Sequence, residues 1–142
     1  MKVILTHEQA DMDALASQLG AWILELDAQP VLPRKINRNG ISLLEEFGDQ
    51  LPYVDYKSLP RDSIDMIILV DTQSLITLKG MHSDTKVVVY DHHPLKSDLD
   101  PDWELHLVES GSNVSQMIAR IKQRGIQITS LQATILALGL YE

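Results

Sequence analysis

The sequence predicts an α/β protein: three layers, a mostly parallel sheet with helices on both faces. Three observations carry this. The runs Val3-Ile4-Leu5, Met66-Ile67-Ile68-Leu69-Val70 and Val87-Val88-Val89-Tyr90 are continuously apolar, as strands covered on both faces are. Segments of helical period alternate with them, which favours parallel crossovers. Each of the three runs also delivers acid or imidazole at its carboxyl end, the edge at which open α/β sheets carry their sites.

At 142 residues the chain makes one domain with room for a substantial core. The core is aliphatic, since only one Phe is present, and the absence of cysteine excludes a disulfide scaffold and thiolate metal sites. The amino-terminal apolar run is too short for a signal peptide, and no stretch nears the roughly 18 apolar residues of a membrane span, so a cytoplasmic, membrane-free protein is expected. A net charge of −8 disfavours gripping long nucleic acid through its phosphates; it suits a chain that concentrates carboxylates around divalent cations, and equally a surface charged for solubility.

Residues 2–6 read as the first strand. A helix follows from about Asp13 to Asp27, with Leu15, Leu19, Trp22 and Leu26 as its buried stripe and Gly20 allowing close packing on the sheet. Asp11 and Asp13 stand at its amino end, where carboxylates suit the helix dipole. Residues 30–33 read as a short strand near an edge because of Pro30 and Pro33. A helix over 41–47 turns Ile41, Leu44 and Phe47 inward. Tyr53-Val54 reads as a short edge strand, 66–70 as a central strand, 73–80 as a short helix or loop, and 86–90 as a strand ended by Pro94. Residues 94–104 form an acidic loop before a last strand, 105–108. A helix opens after Ser112-Asn113 and closes at Gly125, with Val114, Met117, Ile118 and Ile121 inward. Thr129 and Gln132 have capping-box spacing and start a final helix whose apolar residues include Leu131, Ile135, Leu138 and Leu140.

The chemistry-bearing residues form three clusters: His7-x-x-x-Asp11-x-Asp13, the lone Asp71, and Asp91-His92-His93. Brought together by adjacent strands, they offer carboxylate and imidazole ligands for two divalent ions, a set that suits manganese, magnesium or iron better than a thiophilic metal. Two ions about 3.5–4 Å apart need a bridging carboxylate and clamp the attacking and leaving oxygens of a phosphoryl transfer. Asp71, alone on the central strand, is the natural bridge.

Thr6-His7-x-x-x-Asp11-x-Asp13-Ala14, Val70-Asp71-Thr72 and Asp91-His92-His93 resemble, in order and separation, the first three motifs of the DHH phosphoesterase superfamily. That family includes RecJ-type nucleases, oligoribonucleases, cyclic-dinucleotide phosphodiesterases, family II inorganic pyrophosphatases and exopolyphosphatases. The resemblance covers nearly the whole chain, 1–142, as the family's Rossmann-like N-terminal domain. It implies two Mn2+ ions, with Mg2+ as a substitute. His7 and Asp11 would bind the first ion, Asp13 and His92 the second, and Asp71 both. His93 would face the substrate phosphate, and Asp91 would orient its neighbours. The implied activity is hydrolysis of a phosphodiester or phosphoanhydride by a metal-activated water, on a phosphate-containing small molecule or short oligonucleotide.

The family's fourth motif, an Asp-Thr-Gly, would follow Gly139-Leu140-Tyr141-Glu142, where the chain stops. The resemblance therefore implies a domain cut from a longer protein, lacking a ligand of the second metal and the smaller C-terminal substrate domain, and weak or inactive alone. Its partners would be the C-terminal domains of the parent and, as a further candidate, a second copy. Residues 32–39 are similar to a stretch in DHH domains joined to a tRNA nucleotidyltransferase or poly(A) polymerase, which opens a second reading: a nucleotide- or metal-sensing regulatory module. Among basic and small residues, Arg38 and Ser112 are the candidate contacts to a substrate phosphate. Arg34, Lys35 and Arg38 are better explained as a solvated turn, and Ser110-Gly111-Ser112 as a helix cap. His82 reads as a surface residue, His106 as a strand residue with a satisfied ring, Met12 as packing, and the acidic run from Asp98 to Glu104 as solvated.

Overall fold

A computed structural model describes residues 1–142. Six strands form one all-parallel sheet: β1 (Lys2–Leu5), β2 (Ala28–Leu32), β3 (Val54–Asp55), β4 (Met66–Val70), β5 (Lys86–Asp91) and β6 (Glu104–Leu107). Their spatial order is β3-β2-β1-β4-β5-β6. The chain winds outward from β1 to β3, then crosses to β4 on the other side, so the winding direction reverses between β1 and β4. That is the point at which open α/β sheets bind ligands.

The helices are α1 (Met12–Leu24), α2 (Arg38–Phe47), α3 (Val114–Gln123) and α4 (Ser130–Tyr141). The strand pleat sends Ile4, Ile68 and Val70 towards Ala21 of α1 and Met117 of α3. α1 lies at the centre of this layer, flanked by α3 and α4. Two glycines set its spacing: a Cβ at Gly139 of α4 would stand 2.6 Å from the Ala16 Cβ, and one at Gly20 would stand 2.6 Å from the Met117 Cβ. Gly20 thus admits α3, not the sheet. On the opposite face Val3, Leu5, Ile67, Leu69, Val87 and Val89 pack under Ile64 and Leu78, with Leu59, Leu75, Met81 and Trp103 at the margin. The α-helices gather on the first face; this second layer consists of the connections that precede β4, β5 and β6.

Several boundaries differ from the sequence reading for identifiable reasons. α1 ends at Leu24, so Leu26 is 68% exposed and not part of the buried stripe. Asn37 caps α2 by accepting from the Gly40 N–H at 2.9 Å, which starts the helix three residues early and turns Leu43 inward while Ile41 is left exposed. In α4 the capping box forms, but the buried face is Ile135, Leu136 and Gly139; Leu138 and Leu140 are exposed because the glycine is what lets α4 approach α1. β2 sits one strand in from the edge. Beside Pro30, which has no N–H to give, the buried Gln18 amide of α1 donates to the Ile4 and Val31 carbonyls at 3.1 and 2.8 Å.

Candidate metal centre

The carboxyl ends of β1, β4 and β5 open into one cleft of about 600 Å³, lined without a single apolar side chain other than Pro94. His7, Asp11 and Asp13 reach it from the turn between β1 and α1, Asp71 from the end of β4, and Asp91, His92 and His93 from the end of β5. All seven residues singled out as catalytic or metal-binding therefore share one cavity.

Asp71 lies at its centre, 3% exposed, with a left-handed φ of 60° that aspartate tolerates better than most residues. Its backbone N–H donates to the Tyr90 carbonyl at 2.9 Å, which fixes the strand end. Its two oxygens face two imidazoles. His7 Nε2 is 3.1 Å from Oδ2, and His92 Nε2 is 2.9 Å from Oδ1.

The tautomers follow from the other ring nitrogens. His7 Nδ1 donates to the Glu8 carbonyl and His92 Nδ1 to the Ser110 carbonyl, each at 2.8 Å. A carbonyl only accepts, so both Nδ1 atoms carry hydrogen, and in the neutral ring each Nε2 presents a lone pair to a carboxylate oxygen. Acceptor facing acceptor is unfavourable unless a cation lies with them. Asp71 Oδ1 is buried and has no hydrogen-bond donor. A divalent ion with bonds of about 2.1 Å leaves adjacent donor atoms about 3 Å apart, which matches these separations. The donor set thus fits divalent cations. One ligand atom each from His7, Asp11 and Asp71 lies within 4.8 Å of the others, as do ligand atoms of Asp71, Asp91, His92 and His93.

In the metal-free protein a proton takes the cation's place between His7 and Asp71. The bond to Asp71 raises the His7 pKa to about 9, against the opposing effect of burial. Burial lowers the His92 pKa, but the Ser110 bond and the charges of Asp71 and Asp13 outweigh it, so the net shift is upward.

Asp13 and Asp91 are committed to neighbours. Asp13 is buried; its Oδ2 accepts from the Asn113 N–H and its Oδ1 from the Val114 N–H, both at 2.8 Å. It caps α3 from another helix, since Asn113 supplies no side-chain cap of its own. His92 Nε2 stands 3.7 Å from Asp13 Oδ2. Burial pushes the Asp13 carboxyl up, and the two N–H bonds pull it partly back. Asp91 is fully buried; its Oδ1 accepts from His93 Nδ1 at 2.7 Å and its Oδ2 from the Gln73 amide at 2.8 Å. Asp91 thus orients His93, while the Ser110 carbonyl orients His92.

Arg38 and Ser112 do not line the cleft. Arg38 is exposed in the first turn of α2, whose N-terminal hydrogen bonding is taken by Asn37. Ser112 is buried ahead of α3, and the anion at that helix terminus is Asp13 itself. Four cleft residues escaped the sequence reading: Gln73, Ser74, Lys96 and Glu142. Gln73, two residues past Asp71, ties the two loops together: its amide also donates to the His93 and Pro94 carbonyls at 3.3 and 3.1 Å. Lys96 and Glu142 also line the cavity, and Glu142 accepts from the Asn37 and Asn39 amides. Their only sequence signal is proximity to a motif or to the chain end. His106 is satisfied by Glu104 and Arg120 and stacks on Tyr90 with centroids 4.8 Å apart.

Comparison with known proteins agrees with the fold. The family model described as the DHH family, N-terminal domain, matches residues 2–140. The A-adding tRNA nucleotidyltransferase of Aquifex aeolicus is 30% identical over 141 residues, 99% of this chain and 16% of that protein. That of Geobacter sulfurreducens is 30% identical over 149 residues, all of this chain and 17% of that protein. The chain thus spans about a sixth of these relatives. Among solved structures, a Methanococcus jannaschii protein provisionally described as a family II inorganic pyrophosphatase superposes with a TM-score of 0.66 at 22% identity, covering 96% of this chain and 46% of that one. At that identity the likeness speaks for the fold.

Proposed function

The chain belongs to the DHH family, by its match to the family's N-terminal domain, and on that premise we propose that it is a divalent-metal phosphoesterase domain acting on a phosphodiester or phosphoanhydride. The observation that carries this is the Asp71 carboxylate, buried between two imidazoles whose Nε2 atoms both face it. His7 and Asp11 would hold one cation, His92 and Asp13 the other, and Asp71 both, with manganese as the expected metal. When bound, such ions supply Lewis acidity at a phosphoryl oxygen and lower the pKa of a nucleophilic water. The protein's own part is to hold these ligands at the carboxyl edge of the sheet and to keep His93 aimed at the cleft through Asp91. His93, 56% exposed, would act as an imidazolium paired through Nδ1 with the buried Asp91, and would donate from Nε2 to a phosphoryl oxygen as charge develops there.

The test is calorimetric titration of Mn2+ into the chain beside Asp71→Asn, followed by hydrolysis assays on pyrophosphate, polyphosphate and a short oligoribonucleotide. Saturable binding lost in the variant supports the metal centre, and phosphate release then identifies the substrate. Absence of binding in both proteins would sink it. A second reading is favoured by the two relatives: a sensing module attached to a tRNA nucleotidyltransferase, in which the same centre binds a phosphorylated ligand without turning it over. Metal-dependent binding of the ligand with no release of product would favour that reading.

A further inference from the structure

We infer that Lys96 and Ser74 form a phosphate subsite in the metal cleft, holding the part of the substrate that lies away from the metal ligands. The inference rests on the proposed function and adds to it a site for a second phosphate.

Lys96 is the only permanently cationic side chain lining a cavity otherwise rich in carboxylate and imidazole. No carboxylate neutralises it. Its Nζ donates to the Ser74 hydroxyl at 2.7 Å, and it enters no ion pair. An ammonium bonded to a neutral hydroxyl retains its charge for a ligand and has two further hydrogens to donate. The Ser74 hydroxyl, used here as an acceptor, still has its own hydrogen free to donate to an anion. Both side chains are exposed at the cleft mouth, so a ligand can reach them.

Their placement is enforced from below. The buried Gln73 accepts from the Lys96 backbone N–H at 2.8 Å through Oε1, and through its amide donates to Asp91, the carboxylate that holds His93. One side chain thus sets the positions of both His93 and Lys96, from either side of Pro94. Ser74 follows Gln73 directly, and its N–H donates to the Thr72 hydroxyl at 3.1 Å. A ligand carrying two linked phosphates could therefore present one to the metal ligands and His93, and the other to Lys96 and Ser74. This selects for a phosphoanhydride or an oligonucleotide end over an isolated phosphate monoester.

The test compares the wild-type chain with Lys96→Met and Lys96→Arg. Both keep the backbone bond to Gln73, and substitution of an exposed side chain of this kind should leave the unfolding midpoint unchanged. Mn2+ binding is measured first, then binding of imidodiphosphate, a non-hydrolysable diphosphate, and of inorganic phosphate, to the Mn2+-loaded proteins. Lys96→Met should bind Mn2+ at least as tightly as wild type but lose about tenfold or more in imidodiphosphate affinity. It should lose far less for inorganic phosphate, and Lys96→Arg should restore most of the loss. Equal imidodiphosphate affinity in wild type and Lys96→Met, with Mn2+ bound in both, would overturn the subsite and leave the metal centre standing. Failure of every protein to bind Mn2+ would overturn the metal centre and the subsite with it.

Discussion

Asp71 occupies a left-handed backbone conformation, and that constrains how the centre can be probed. Asparagine tolerates the same φ and matches the side chain in size, so Asp71→Asn should fold while losing the charge that draws cations. Its Mn2+ affinity should fall about a hundredfold or more, and calorimetry that found unchanged affinity would remove Asp71 from the centre. His7 supplies a pH dependence. Its pKa of about 9 in the folded metal-free protein exceeds the unfolded value of about 6.5, so protonated His7 stabilises the fold fully below pH 6.5. That contribution is lost as pH rises from 6.5 to about 9. Urea midpoints in the presence of a chelator should therefore decline across this interval, and His7→Gln should flatten the decline. Asp13 differs from both, because its loss leaves the Asn113 and Val114 N–H groups buried without acceptors. Asp13→Ala should cost about 2 kcal/mol or more even without metal, readable as a shifted denaturant midpoint in the chelated protein.

At the level of elements, α1 organises the helical layer, and its neighbours approach as closely as glycine allows. Gly139→Ala would bring a methyl against Ala16 and the Met12 carbonyl, and Gly20→Ala would bring one against the Met117 side chain. Each should destabilise by about 1–3 kcal/mol, because both methyls meet a Cβ fixed to its own helix and the helices must part to admit them. Thermal unfolding of the two variants checks this. These contacts also show where the sequence was legible. The apolar runs of β1, β4 and β5 were plain because each strand is covered on both faces. The phases of α2 and α4 were not: Ile41 and Leu138 have the composition of core residues and lie on the surface. A cap at Asn37 and a glycine contact at Gly139 rotated those helices, and both depend on three-dimensional neighbours.

For the molecule as a whole, a cation bound to the native state alone should stabilise it by mass action, by about 2.7 kcal/mol at a free concentration one hundred times Kd. Melting temperature should climb with Mn2+, return to baseline on chelation, and stay flat in Asp71→Asn. A stabilisation that persists in that variant would locate the cation elsewhere. The architecture explains why one residue should govern the whole response. Asp71 follows β4, which the winding reversal puts beside β1, so acid and imidazole side chains from three strand ends converge on it.

The sequence by itself determined the fold class, the sheet edge that bears the site, and the identity of the seven acid and imidazole residues gathered there. It could do so because strand periodicity and strand-end chemistry are local, and local patterns survive in one dimension. Tertiary structure alone decided their division of labour. Asp13 caps α3 a hundred residues away, Ser110 orients His92, and Gln73 couples Asp91 to Lys96. It also left Arg38 and Ser112 outside the cleft and put Lys96 on its lining. These are hydrogen bonds between residues distant in sequence, and their partners become visible only when the sheet brings the loops of β1, β4 and β5 to one edge.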